Sequence, residues 1–402
     1  MELYIEKNDR KIASELDFEL VERKGIGHPD TICDAIAETA SKNYLQYCLK
    51  NFGRPAHYWF DKVMLIGGEA NIEFQKGVVE KPYRIIFAGK VSKYIVDKEI
   101  PLEQILFASC VEVLEKVLTG FDKNKHLVID NQLVDYQGAG RKSSRYRPST
   151  IEDLPEITSE QVSNDTNLLS GYAPLSPLEN LVLTIERYIN GKVFKEKFYD
   201  TGWDVKVFGS RSYNNFKLVV NIPFLAKYIK STQHYFERKN EVYKHLKEYL
   251  HTNFSYEVDL EMNATDRNGR AYLTALGSVA DTGDVGVVGR GNRINGLITP
   301  MRPMSIEASS GKNSVDHTGK LYAILADDLA KDIYDSIEIP VEVHIFTTKE
   351  RQLDSPDEII IKLSNQMVTE EERNIIRKIV QMKLANITDI VMKLINDGVT
   401  LW

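Results

Sequence analysis

The stretch GDVGVVGRGNRINGLITPMRP, residues 283–303, contains five glycines, three arginines and one acidic residue. Glycine has no side chain to pack and loses more conformational freedom on folding than any other residue, so helices and strands disfavour it. We therefore expect a loop here. Three interpretations of that loop are open: tight turns with solvated arginines, a dinucleotide-binding loop, or a cradle for a polyphosphate.

The motif spacings around this loop narrow the choice. Its glycines do not follow G-x-G-x-x-G, and the later pair Gly311-Lys312 lacks the Ser or Thr that completes a Walker A loop. A glycine backbone lets N–H groups approach phosphate oxygens, and arginines add forked, charge-assisted hydrogen bonds. Five basic residues lie in or just after the loop: Arg290, Arg293, Arg302, Lys312 and Lys320. The pattern favours a polyphosphate cradle, with simple turns as the alternative.

A second polar cluster, ERKGIGHPDTICD, occupies residues 22–34. His28 lies between Gly27 and Pro29 at the predicted start of a helix. We expect it to be exposed and fixed in direction, as a ligand-contacting group should be. Two roles are open for Asp30: its carboxylate can cap the helix, or it can bind Mg²⁺, which prefers a few protein oxygens together with phosphates.

Composition limits the class of protein. The chain has 402 residues, enough for two or three domains, and its net charge of −7 argues against a general nucleic-acid-binding protein. The three cysteines, Cys33, Cys48 and Cys110, are far apart and indicate buried thiols in a reducing compartment. The N-terminus is charged, and no apolar run reaches the roughly 20 residues that span a membrane. We expect a cytoplasmic protein with neither membrane nor nucleic acid as a partner.

Apolar periodicity predicts a mixture of helices and strands. Helices are predicted over residues 30–51, 101–118, 177–189, 233–250, 318–336 and 369–396, and strands over residues 62–66, 83–91, 126–136, 205–208, 216–222, 256–261, 271–279 and 340–346. They recur in three similar blocks, which favours an α+β fold of three similar α/β domains with helices layered on mixed β-sheets. The approximate domain ranges are 1–136, 150–255 and 256–402, interleaved in space. Residues 137–149, rich in Gly, Ser and Arg, are predicted to form a mobile loop.

Five segments occur in a characteristic order: GIGHPDTICDAIAE, DKVMLIGGEA, NDTNLLSGYAPLS, GDVGVVGRGNRINGLITPMRPMS and SGKNSVDHTGK. They resemble the motifs of the methionine adenosyltransferase (S-adenosylmethionine synthetase) family, archaeal-type branch. The resemblance implies a pseudo-threefold arrangement of the domains. It also implies a reaction in which the methionine sulfur attacks C5′ of ATP and displaces triphosphate, which is hydrolysed to phosphate and pyrophosphate. Mg²⁺ and K⁺ are the implied cofactors, and a homodimer or a tetramer with active sites between subunits is the implied assembly.

The resemblance also implies roles for single residues. Four would be catalytic: His28, Asp165, Arg290 and Lys312. ATP and its phosphates would contact His28, Asp284, Gly289, Arg290, Arg293, Arg302, Lys312 and Lys320. Methionine would contact Glu69, Asp165 and Tyr172, and metal ions would bind Asp30, Asp61 and Asp316. Taken alone, each residue also has an ordinary interpretation: Glu69 as a surface turn residue, Asp165 as an Asx-turn aspartate, and the basic residues as solvated surface charges.

Several positions depart from the family pattern. Val285 follows Asp284 where a second aspartate is common, and residues 167–170 replace a stretch that usually reads like SFGV near the methionine side. Asp316 stands where a small or polar residue is usual, so it is either a second Mg²⁺ ligand or an exposed acid. The loop at 137–149 is either a lid or only an elongated connection.

These departures leave three hypotheses of function. The first is an ATP:L-methionine adenosyltransferase. The second is the same chemistry on a methionine analogue or another thioether. The third is a non-catalytic nucleotide-binding paralogue, which predicts the loss of the phosphate-contacting cations that this sequence retains.

Overall fold

A computed structural model describes residues 1–9, 11–136, 145–158, 160–364, 368–396 and 398–402. The strands in this part of the chain are β1 (Glu2–Asn8), β2 (Phe18–Lys24), β3 (Lys62–Ile66), β4 (Glu69–Glu73), β5 (Lys76–Lys81), β6 (Tyr83–Lys90), β7 (Tyr94–Ile95), β8 (Lys98–Glu99), β9 (Leu127–Val134), β10 (Asn167–Ala173), β11 (Lys206–Ser212), β12 (Asn215–Asn221), β13 (Phe224–Leu225), β14 (Val258–Met262), β15 (Leu273–Thr274), β16 (Val285–Val287), β17 (Val341–Thr347) and β18 (Glu358–Ser364). The helices are α1 (Pro29–Phe52), α2 (Leu102–Val117), α3 (Lys123–His126), α4 (Pro177–Ile189), α5 (Lys192–Lys197), α6 (Thr232–Asn253), α7 (Thr318–Ile337), α8 (Glu370–Ala385) and α9 (Ile387–Asn396).

Three four-stranded sheets form the framework of the described residues. The first has the strand order β10–β17–β18–β1, the second β2–β11–β12–β14 and the third β16–β3–β6–β9. Read in these orders, every sheet has two antiparallel pairs followed by one parallel pair. The shared pattern agrees with the predicted α+β fold of three similar units.

The units exchange strands. The helices α1, α4 and α7 each follow a strand in the chain: β2, β10 and β16, respectively. Each helix packs on one sheet, while the strand before it belongs to another. Every sheet therefore combines strands from at least two of the ranges 1–136, 150–255 and 256–402. The ranges themselves stay a prediction.

Helix α1 is buried along most of its length, which explains the four-residue apolar spacing in its sequence. Ile32, Ile36, Ala40, Tyr44 and Cys48 are at most 1% exposed. One apolar core joins α1, α2, α7 and the C-terminal helices to the first and third sheets, and a second core joins α4 and α6 to the second sheet. All three cysteines are buried free thiols, as predicted.

Two predicted elements were wrong. The strand expected at 271–279 is reduced to β15, because the chain turns at Gly277 (φ 111°) and continues as a 3₁₀ turn at Val279–Thr282. The helix expected at 369–396 is interrupted at Asn386, which separates α8 from α9. Of the predicted loop 137–149, residues 137–144 lie outside the described residues. No helix in the described ranges is long and apolar enough to cross a membrane.

Candidate active site

Residues 283–303, which we call the glycine-rich stretch, lie against the first turn of α1. Its residues Val285–Val287 form β16 and pair with β3, and a Cβ at Gly286 would overlap the Pro29 carbonyl. Gly289 has φ 85°, in the left-handed region that favours glycine. Gly286 therefore allows two backbone segments to lie in contact and Gly289 allows a left-handed turn, whereas the sequence interpretation attributed the glycines of this stretch to a bound phosphate.

Three buried carboxylates of α1, spaced four residues apart, accept loop N–H groups. The acceptors Asp30, Asp34 and Glu38 bind the N–H groups of Val287, Gly289 and Gly311 over 2.9, 3.0 and 3.0 Å, respectively. A four-residue spacing places side chains on one helix face, so a single helix holds two distant loops.

His28 is the N-cap of α1. Its Nδ1 accepts the Asp30 N–H at 3.2 Å, so the neutral ring carries its proton on Nε2. Burial lowers the pKa of His28 to about 4, an effect that Asp30 opposes and that Lys24 and Lys206 reinforce. His28 is therefore a neutral hydrogen-bond donor at pH 7. The expectation of an exposed histidine was wrong, since its side chain is only 14% exposed.

Asp30 lies in the first turn of α1 and does not cap it. Besides the loop N–H group, its carboxylate binds Lys24 Nζ at 2.8 Å, and the same ammonium donates to the Arg290 carbonyl at 2.7 Å. The Arg290 side chain is exposed, and no carboxylate of the described residues pairs with its guanidinium. His28, Asp30 and Arg290 thus belong to one cluster around the start of α1.

The other basic residues of the predicted cradle bind groups of the protein. The Arg293 guanidinium donates to the carbonyls of Gly289 and Gly291. Burial lowers the pKa of Arg293, and the nearby Asp34 carboxylate opposes this. For Asp34 itself burial raises the pKa to about 7, opposed by the Gly289 N–H group and the charge of Arg293.

Lys312 lies between two carboxylates. Its Nζ is 2.9 Å from Asp61 Oδ2 and also contacts Glu307, while its own side chain is 4% exposed. Burial lowers the pKa of Lys312, but the two carboxylates outweigh burial and raise it. Burial likewise raises the pKa of Asp61, and Lys312 and Lys62 reverse the effect and lower it. Lys312 is a charged ammonium held at the edge of the site.

Lys320 is fully buried beneath this region. Its Nζ donates to Glu38 Oε1 at 2.9 Å, to Glu38 Oε2 at 2.6 Å and to Ser314 Oγ at 3.1 Å. Burial lowers the pKa of Lys320, and the Glu38 carboxylate opposes this. The sequence predicted a phosphate contact for Lys320, whereas its ammonium is engaged by Glu38.

Arg302 is also engaged by a carboxylate. Its Nε and Nη2 donate to the two carboxylate oxygens of Glu179 at 3.0 and 2.9 Å, and its guanidinium lies 4.2 Å from the Tyr172 ring centroid. The Tyr172 hydroxyl contacts Glu179 at 3.0 Å and Thr299 at 3.1 Å. Burial and the Glu179 charge raise the pKa of Tyr172 above its usual range. This interlocked group joins β10, α4 and residues 299–302, which we call the residue-300 loop.

Asp316, the unusual acid, is buried and not exposed. Its Oδ1 accepts the Asn164 amide at 3.2 Å, and its Oδ2 lies 3.7 Å from Arg145 and 3.9 Å from His57. Burial raises the pKa of Asp316 to about 6, and Arg145 opposes this. Burial and Arg145 together lower the pKa of His57 to about 3.

Three predicted ligand-contacting acids are exposed. Glu69 pairs with Lys81 at 2.8 Å, while Asp165 and Asp284 each accept the N–H of the following residue. The neighbouring stretch 167–170 starts β10 and is largely structural. Asn167 Oδ1 accepts the Thr318 hydroxyl at 2.7 Å, and Leu169 is 1% exposed.

A cavity borders the glycine-rich stretch. Five of its lining residues belong to the sites described above: Asp34, Tyr172, Gly289, Arg293 and Glu307. One cavity thus adjoins the predicted phosphate side and the predicted methionine-side Tyr172.

The metal-ligand predictions concern carboxylates with different surroundings. Within the described residues, no three His, Cys, Asp or Glu side chains are grouped to hold a metal ion. Asp30 and Asp61 each pair with lysine, whereas the Asn164 Oδ1 beside Asp316 is buried without a hydrogen-bond partner. Oxygen donors suit Mg²⁺, which takes few protein ligands and completes its shell with water and phosphate oxygens. The donor chemistry fits Mg²⁺ bound together with a phosphate ligand.

Sequence reasoning missed the carboxylates that hold the cations. Asp34, Glu38, Glu179 and Glu307 were not singled out, although each contacts or faces a predicted phosphate ligand. The four-residue spacing of Asp30, Asp34 and Glu38 was the available signal for α1. The capping-box pattern Ser176-x-x-Glu179 marks Glu179 as a helix-start residue but gives no sign of its contact with Arg302, and nothing local in the sequence signals Glu307.

The chain matches a family model described as S-adenosylmethionine synthetase (AdoMet synthetase) over residues 1–398. It is 35% identical to proteins named S-adenosylmethionine synthase from Pyrobaculum neutrophilum, over 100% of both chains, and from Thermoplasma volcanium, over 96% of both. A protein of Aquifex aeolicus named probable S-adenosylmethionine synthase is 33% identical over 95% of both chains. The solved structure of an unusual S-adenosylmethionine synthetase from Campylobacter jejuni shares the fold, with TM-score 0.59, 13% identity and 93% coverage of each chain. The family resemblance read from the motifs is confirmed, and the chain belongs to the S-adenosylmethionine synthetase family.

Proposed function

We propose that this protein is an ATP:L-methionine S-adenosyltransferase. The methionine sulfur forms a bond to C5′ of ATP, the C5′–O bond breaks, and triphosphate leaves with the electron pair before it is hydrolysed to phosphate and pyrophosphate. Full-length relatives carry the name S-adenosylmethionine synthase, so the thioether-analogue and non-catalytic alternatives are not favoured.

One observation carries the proposal. The start of α1 brings a neutral His28 donor and the carboxylate of Asp30 together with the segment that bears the exposed Arg290 side chain. A thioether sulfur needs no base, so the chemical demand is stabilisation of charge on the departing triphosphate. Because the described residues include no carboxylate paired with Arg290, its guanidinium supplies positive charge directly, and His28 Nε2–H donates to an oxygen near the breaking bond.

Lys312 is the second cation that we assign to the triphosphate. It is already charged and lies between Asp61 and Glu307. Arg293, Arg302 and Lys320 contact groups of the protein, and we infer that they shape the site. Asp284 is assigned to the adenosine side, and Glu69, Asp165 and Tyr172 to the methionine side.

We assign Mg²⁺ to Asp30, Asp61 and Asp316 as single protein ligands and not as one cluster, since the described residues form no group of three. We retain K⁺ as a cofactor without assigning ligands to it. When bound, Mg²⁺ supplies positive charge that neutralises phosphate oxygens. Both Asp30 oxygens already accept a hydrogen bond, but a carboxylate oxygen has two lone pairs, so each retains one for a metal. The protein is cytoplasmic in this proposal.

The proposed assembly is a homodimer, or a tetramer, with active sites between subunits. The exposed positions of Glu69, Asp165 and Asp284 support it, because another subunit can reach them. Light scattering that gives an active monomer of 45.9 kDa would refute this assembly.

The decisive experiment is an assay of the purified protein with ATP, Mg²⁺, K⁺ and L-methionine, in which nucleosides are identified by mass and phosphate is followed in parallel. S-adenosylmethionine with phosphate and pyrophosphate is the expected product set. Lys312→Ala should lose turnover. Lys192→Ala serves as the control, because the Lys192 side chain is 87% exposed. ATP binding without methionine-dependent product would overturn the proposal, and a panel of thioethers would then test the second hypothesis.

A further inference from the structure

Helix α1 carries a row of carboxylates that no family motif role explains in full. Asp30, Asp34 and Glu38 each accept one N–H group from segments near residues 287–311. We call these three side chains the acidic ladder. The ladder connects the glycine-rich stretch and the loop at Gly311 and Lys312 to the same helix.

Asp34 is the middle member of the acidic ladder. It is 2% exposed, its Oδ1 accepts the Gly289 N–H at 3.0 Å, and a Cβ at Gly291 would lie 2.6 Å from its Oδ2. The guanidinium of Arg293, which the Asp34 charge favours, in turn donates to the carbonyls of Gly289 and Gly291. Asp34 therefore holds one donor of the segment 289–293 directly, and Arg293 holds two of its acceptors.

Arg290 lies between the two glycines that this arrangement holds. Its own guanidinium is exposed and has no carboxylate partner among the described residues. A free arginine side chain samples many rotamers, so its usefulness to a ligand depends on how well its backbone is fixed. Asp34 accepts the Gly289 N–H from the buried side and, among the described residues, forms no ion pair with Arg290, so the Arg290 charge stays available.

We propose that Asp34 is a positioning residue, which fixes residues 289–293 so that Arg290 is directed toward the leaving triphosphate without being neutralised. This inference deepens the proposed function and rests on it. A purely structural role for Asp34 predicts something different: lower stability, with normal catalysis by the protein that remains folded.

The test compares Asp34→Ala, Asp34→Asn and Asp266→Ala. Asp266 is a matched control because it is 4% exposed and accepts Tyr235 at 2.5 Å and Lys239 at 3.0 Å, away from the ladder. Four properties are measured: thermal stability, kcat and KM for each substrate, affinity for inorganic triphosphate, and hydrogen exchange of the peptide that covers residues 283–293.

We expect Asp34→Ala to lower kcat/KM for ATP by about tenfold, which corresponds to about 1.4 kcal/mol of transition-state stabilisation. It should also weaken triphosphate binding and speed exchange in residues 283–293, with KM for methionine unchanged. Asp34→Asn should recover most of the loss, because its Oδ1 still accepts the Gly289 N–H. Asp266→Ala should lower stability alone.

The inference would be overturned if Asp34→Ala bound triphosphate as tightly as the wild-type protein does. It would also be overturned if Asp266→Ala lost triphosphate affinity to the same extent as Asp34→Ala. If Asp34→Ala does not fold, Gly291→Ala takes its place, since its added Cβ displaces the same segment; normal triphosphate binding there is equally contrary. If the wild-type protein makes no S-adenosylmethionine, the proposed function is refuted. Triphosphate affinity and hydrogen exchange then still test the role of Asp34, because neither measurement depends on that activity.

Discussion

Replacing Lys320 by methionine distinguishes between two roles of this residue: partner in a structural ion pair, or ligand of a phosphate. Lys320 is 0% exposed, and its ammonium contacts both oxygens of Glu38, whose side chain is 6% exposed. Removing one partner of a buried pair leaves an uncompensated charge and costs about 3–5 kcal/mol. For 402 residues that unfold as one unit, with about 2.1 cal/mol/K per residue, this corresponds to a fall in Tm of about 4–6 °C.

The assay is thermal unfolding together with ATP binding, and α7 offers the control. Lys331 lies on the same helix and pairs with Asp327 at 2.6 Å, but its side chain is 57% exposed, so Lys331→Met should cost at most about 1 kcal/mol. The double variant Glu38→Gln, Lys320→Met should recover part of the stability, with a coupling energy of about 0.5–3 kcal/mol.

The opposite result would refute this reasoning. If Lys320→Met changes stability by no more than about 0.5 kcal/mol, as surface substitutions do, and abolishes ATP binding, then Lys320 leaves Glu38 to contact phosphate as the sequence predicted. Retained stability with retained binding would refute both roles.

Further predictions concern the start of α1 and the residue-300 loop. Because the folded-state pKa of His28 is about 4 against an ordinary 6.5, the unfolded state binds more protons between these values. As the pH falls from 6.5 to 4, the wild-type protein should therefore lose stability relative to His28→Asn. Above pH 6.5 the two proteins should show the same pH dependence. Tm profiles that run parallel over the whole pH range would contradict this. Gly286→Ala should weaken ATP binding because its methyl group displaces β16 from Pro29, and calorimetric affinity equal to wild type would count against that packing. Arg302→Lys should lower Tm by losing the two-pronged contact with Glu179, with KM for ATP unchanged; a raised KM at unchanged Tm would instead support a phosphate contact.

The parts of the fold that sequence predicted are those with a local signal. α4 was predicted at its observed bounds, Pro177–Ile189, because proline follows a serine cap and the apolar residues recur at helical spacing. β1 was missed because its sequence ELYIEKN is rich in charge, and its pairing partner β18 begins at Glu358, near the other end of the chain. Pairing over such a distance leaves no trace in either segment alone.

The same limit explains what was predicted of the site. The family-like motifs predicted which basic residues belong to the site, because arginines and glycines cluster within one stretch. The carboxylates that hold them lie far away in sequence: Glu38 is 282 residues from Lys320, and Glu179 is 123 residues from Arg302. The interpretation of the cations as solvated charges underestimated how many are buried, since burial depends on those distant partners.

The partners also divide the cations into two functional groups. A site that binds a highly charged ligand must keep its basic side chains apart when the ligand is absent, and carboxylates do so by neutralising them. Lys320 and Arg302 have such partners in fully buried surroundings, so exchanging the partner for a phosphate would leave a buried carboxylate uncompensated. The carboxylates beside Lys312 are less completely buried, with Glu307 34% exposed, and Arg290 has no such partner among the described residues. In the proposed function, the cost of engaging a triphosphate therefore increases from Arg290 through Lys312 to Lys320, and this order is our basis for assigning Arg290 and Lys312 to the ligand and Lys320 to the framework.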